Sequence, residues 1–99
     1  MVRIEEFSDR EIAEKKKFSR LVEITKELMG QHRIVETSTS FGLFNSNFYS
    51  WAHVSPNLNK LEVYSPNHLD MAVKLAKAYE TETGKEFTVK KRYQETFSQ

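Results

Sequence analysis

Ninety-nine residues, 38% hydrophobic and 29% charged, suffice for one domain that buries roughly 60–70% of the surface its unfolded chain would expose, so no covalent staple is required. The chain has no cysteine, which excludes disulfides, thiolate zinc centres and thiol nucleophiles. Fifteen Lys and Arg stand against fourteen Asp and Glu, a net charge of +1, so no global basic field draws a nucleic acid and any such role needs a local patch.

The N-terminal stretch MVRIEEFSDREIAEKKKF lacks the apolar segment of a secretory signal, which leads us to expect an intracellular (cytoplasmic) protein. No apolar run approaches the roughly 18 residues of a membrane span, so no membrane role is expected. The small size and the lack of a targeting signal suit an accessory factor of a virus or mobile element.

In chain order, Ser8-Asp9-Arg10-Glu11 has the form of a capping box, in which Ser8 accepts from a first-turn amide and Glu11 reaches back. Phe18, Leu21, Val22, Thr25, Leu28 and Met29 recur at helical spacing and Gly30 supplies a left-handed stop, which predicts a helix over 9–29. Lys15, Lys16 and Lys17 form a phosphate-seeking cluster, but Glu11, Glu14, Glu23 and Glu27 share the helix and offset it, so a solvated face is expected.

Three strands are predicted next, Arg33 to Ser38, Asn47 to Val54 and Lys60 to Tyr64, on their β-branched and aromatic content. Ser55 to Asn59 reads as the turn of an antiparallel hairpin. The segment Thr39 to Ser46 reads as a loop or as irregular strand, with Gly42 marking a bulge or bend. Ser65 as N-cap and Pro66 in the first turn open a second helix, which carries an apolar stripe of Leu69, Ala72, Val73, Ala76 and Tyr79 and stops at Gly84. Lys85 to Tyr93 alternates as a last strand, and 94–99 reads as a flexible tail. The whole is a single α+β domain over 1–99 in two layers. Its order is α-β-β-β-α-β, with two helices on a mainly antiparallel four-stranded sheet.

One stretch departs from the average composition. Thr37 to Asn59 runs twenty-three positions without a charged residue and holds Phe41, Phe44, Phe48, Tyr49 and Trp51. Strict alternation along the strands sets Phe48, Ser50, Ala52 and Val54 on one face and Tyr49, Trp51 and His53 on the other. With the aliphatic residues under the helices, Tyr49, Trp51, His53, Tyr64, Lys90 and Arg92 gather on the opposite face. If one helix covers each face instead, Tyr49 and Trp51 are core residues, and this alternative stays open.

An uncovered face of this kind suits a protein partner, bound by Phe41, Phe44, Tyr49, Trp51, His53 and Tyr64, because large aromatics with Ser and Asn offer contact area with little charge to desolvate. It also suits single-stranded RNA or DNA, with bases stacked on Tyr49, Trp51 and Tyr64 and phosphates met by Lys90, Lys91 and Arg92. The lack of charge within the stretch favours the protein. Pairing of uncharged edge strands would give a homodimer through 37–59.

Catalytic chemistry finds little support. His32, His53 and His68 share no metal-ligand spacing, His68 and Asp70 point apart at a helix start, and there is no G-x-S-x-G elbow. Three glycines, two of them assigned to helix stops, do not make a phosphate loop. The expectation is therefore a non-catalytic binding protein that regulates or inhibits a macromolecular partner, with no cofactor and no metal. A nucleic-acid module is the alternative, and a small metal-dependent hydrolase or nuclease using His53 or His68 a distant third.

Overall fold

The computed structural model describes residues 2–30 and 33–94. Helix α1 spans Asp9–Met29, where both halves of the Ser8/Glu11 capping box form and Gly30, at φ 63°, closes the last turn by donating to the Lys26 carbonyl. Five strands follow instead of four: β1 Arg33–Glu36, β2 Phe41–Phe44, β3 Ser50–Ser55, β4 Lys60–Val63 and β5 Thr88–Lys91. The additional strand is β2, inside the segment expected to be loop or irregular. Its Phe41, Gly42 and Leu43 are all buried, so it lacks the polar alternation by which a half-exposed strand is recognised.

Helix α2 spans Leu69–Thr83 and ends at Gly84 in the left-handed conformation. Its start departs from expectation. Ser65 makes no side-chain cap; Pro66–His68 instead form one 3-10 turn, and His68 occupies the N-cap of α2. The proposed tail beyond Gln94 lies outside the described residues, as does His32.

The sheet runs in the order β1-β2-β3-β4-β5, antiparallel up to β4, with β5 parallel to β4 across the α2 crossover. Both helices contribute to one core. Leu21, Val22, Ile24 and Met29 of α1 and Ala72, Leu75, Ala76 and Tyr79 of α2 cluster with Phe41, Leu43, Ala52, Val54, Leu61 and Val63 of the sheet. The Phe18 and Phe41 rings meet edge to face at 5.5 Å. Within this core Thr25 donates to the Leu21 carbonyl at 2.7 Å, and its oxygen lies 2.5 Å from the Tyr79 hydroxyl. Among the described residues no helix covers the other face of the sheet. Val35, Gly42, His53, Glu62 and Lys90 lie across it in register.

Candidate binding surface

The uncharged stretch divides into three parts with different fates. Phe41 and Leu43 are fully buried under the helices. Trp51 joins them at 1% exposure, contrary to strict alternation, because the β2–β3 register slips there. Leu43 opposes Ala52 while Phe44 opposes Ser50, which leaves Trp51 as the extra residue of a β-bulge. A bulge re-aims one side chain and locally breaks the period of two. The indole turns into the core and stacks on His68 at the start of α2.

The third part, residues 45–49, is a hairpin loop organised by Asn45. The Asn45 and Tyr49 main chains close it, with the Asn45 amide donating to the Tyr49 carbonyl at 3.0 Å, and the Phe48 amide donates to the Asn45 carbonyl at 3.0 Å. The Asn45 side chain accepts from the amides of Asn47 at 2.9 Å and Tyr49 at 3.1 Å. This three-residue loop, 46–48, needs a left-handed residue at its last position, ordinarily glycine. Here that residue is Phe48, at φ 66°.

A phenylalanine in that conformation costs about 1–2 kcal/mol, and its ring is not repaid by burial. Phe48 is 62% exposed and Tyr49 beside it 71%. The Phe48 ring lies under the Arg33 guanidinium, 4.1 Å from centroid to Cζ. Arg33, Ile34, Val35, Phe44 and Phe48 line a shallow cleft of about 370 Å³ beside this pair. The half-buried Phe44 ring also lies over Gly42. A Cβ at that glycine would stand 3.1 Å from Phe44 Cε1 and 3.7 Å from His53 Nδ1.

The remaining candidates sit farther across the uncovered face. His53 is half-buried, with Nε2 2.9 Å from the Ser40 hydroxyl, which is itself 2.9 Å from the Thr37 hydroxyl. Tyr64 is 40% exposed. Glu62, opposite His53, pairs with Arg92 at 2.7 Å and approaches Lys60 at 3.7 Å. Lys90 lies in the same cross-strand row as Glu62, whereas Lys91 opposes Val63 and has the other parity. The face therefore collects Phe44, Tyr49, His53 and Tyr64 but neither Phe41 nor Trp51. It also presents Phe48 and Arg33, which sequence reasoning did not select. The signal for Phe48 was Asn45-Ser46-Asn47, turn-forming residues of which Asn47 was read as the start of a strand.

Among the described residues no three His, Asp or Glu side chains could hold a metal ion, and no helix is long and apolar enough to cross a membrane. Compared with known protein families, curated proteins and solved structures, the chain matches none.

Proposed function

We propose that this chain is a non-catalytic binding protein that regulates or inhibits a macromolecular partner, a protein in preference to a nucleic acid. The surface is the β2–β3 loop and the adjoining uncovered face: Phe44, Phe48, Tyr49, His53 and Tyr64, with Arg33 at its edge. The observation that carries this reading is Phe48. A bulky side chain held left-handed where glycine would be strain-free, and left mostly in solvent, is the kind of backbone outlier that persists at recognition sites. Tyr49 extends the same patch, and rigid aromatics beside an Arg are typical of interface hot spots.

The nucleic-acid alternative retains Tyr49, Tyr64 and Lys90 but is weakened on two counts. The largest ring expected to stack on bases, Trp51, is in the core, and Arg92 is already engaged by Glu62 at 2.7 Å. For the hydrolase alternative, His53 is bonded to a turn serine and His68 stacks on Trp51.

The test is capture from cell extract on immobilised wild-type protein and on Tyr49→Ala. The expected result is a polypeptide retained by the wild type and lost by the variant, with thermal stability unchanged. Equal retention by both proteins would remove this surface from the function.

A further inference from the structure

The three consecutive lysines of α1 do not share one environment. Lys15 places its ammonium 3.9 Å over the Phe7 ring. Lys16 and Lys17 instead line a cleft of about 410 Å³ with Arg20, Leu21, Glu82, Thr83 and Lys85, where the end of α2 passes beside α1.

The charges in this cleft do not cancel. Arg20 is neutralised, since it binds Glu82 at 2.7 Å and Glu23 at 3.1 Å. Lys17 donates to the neutral Asn59 side-chain oxygen at 2.6 Å. Among the described residues no ion pair engages Lys16, Lys17 or Lys85. The cleft is thus lined by four cationic residues, Lys16, Lys17, Arg20 and Lys85, against one carboxylate, Glu82, in a chain whose net charge is +1. Burial, and then the Lys85 charge, hold the Lys17 ammonium below the ordinary lysine range, with Glu14 opposing. Clustered like charges disfavour the empty cleft and favour an anion within it.

We propose that this cleft binds a small phosphorylated ligand, its phosphate held by Lys16, Lys17 and Lys85. A phosphate dianion matches three lysines better than a single carboxylate does, and lysine binds phosphate as a point charge without needing a bidentate geometry. The site lies against the helices, away from the loop carrying Phe48, and stands or falls independently of that surface.

The experiment is a titration of the whole protein with pyrophosphate, and separately with a nucleoside diphosphate, reading the side-chain Cε–Hε resonances of the lysines by NMR. Sodium chloride at matched ionic strength is the reference. The site predicts saturable shifts confined to Lys16, Lys17 and Lys85, with affinity lowered at least tenfold in Lys17→Gln/Lys85→Gln and unchanged in Lys77→Gln. Because the double variant could perturb folding, Lys85→Gln alone, at an exposed position, is measured too and should weaken binding at least threefold. Pyrophosphate bound as tightly as the nucleoside diphosphate identifies the free anion as ligand. Tighter binding of the nucleoside diphosphate identifies phosphate on an organic body, and either result upholds the site. Shifts that rise linearly, or that sodium chloride reproduces, overturn it, as does unweakened binding by Lys85→Gln.

Discussion

The Trp51 indole lies flat against the His68 imidazole, ring centroids 4.7 Å apart and planes 18° from parallel. This contact joins the bulge of β3 to the first turn of α2, and it makes the only tryptophan a core residue. Its fluorescence should therefore be blue-shifted in the folded protein and unaffected by single-stranded oligonucleotide at low salt. Trp51→Ala should cost about 3–5 kcal/mol, lowering Tm by at least about 12 °C in a domain of this size. A red-shifted spectrum, or a variant that melts with the wild type, would place the ring outside the core.

The left-handed Phe48 makes a second prediction with an unusual sign. Phe48→Gly removes about 1–2 kcal/mol of backbone strain while losing about 0.5–1 kcal/mol of contact with Arg33 and some unfolded-state entropy. Its stability should fall within about 1 kcal/mol of the wild type. Phe48→Val remains apolar but puts a β-branched residue at φ 66°, and should be at least about 1 kcal/mol less stable than Phe48→Gly. Denaturant melts of the two variants decide it, and the reverse order would contradict the loop geometry.

The Thr25 and Tyr79 hydroxyls make a directional prediction. Thr25 spends its proton on the Leu21 carbonyl, so Tyr79 is the donor between them. Thr25→Val orphans the buried phenol and should cost about 1–3 kcal/mol. Tyr79→Phe leaves Thr25 bonded to Leu21 and should cost less. Equal losses would mean that the bond runs the other way.

Burial also pushes the Tyr79 phenol well above its ordinary value. Because the folded value is raised, the stabilisation is complete below the unfolded value of about 10 and is lost as pH rises above it. The stability gap between wild type and Tyr79→Phe should then shrink by about 1.4 kcal/mol per pH unit above pH 10. A gap constant from pH 8 to pH 11 would show that the phenol titrates normally in the fold.

Much of this fold can be read from residue patterns whose physics is local. The Ser8/Glu11 box and the glycines at 30 and 84 bound α1 and α2 because capping is decided within one turn of chain. Strand β2 was read as loop or irregular strand because an uncharged strand whose first three residues are all buried has no polar alternation to display. Trp51 went to the wrong face in the reading by alternation because one bulge shifts parity, and a bulge depends on cross-strand register that no single segment encodes. The charge-free aromatic stretch was legible in the sequence, and alternation set Tyr49, His53 and Tyr64 opposite the aliphatic residues, where the structure leaves Tyr49 and Tyr64 exposed and His53 half-buried. Phe48 was assigned to the core face by the same counting, since its presentation depends on a left-handed backbone and on four hydrogen bonds centred on Asn45.

The measurement that tests the proposed binding surface most directly is made on Phe48→Gly, because this variant relieves strain where most interface variants add it. Wild type and Phe48→Gly, matched for Tm, are immobilised at equal density and their capture from extract is compared. The account predicts that Phe48→Gly melts no more than a few degrees from the wild type yet loses the retained polypeptide. Equal capture by both proteins would contradict it, and would leave Phe48 as strain without a function.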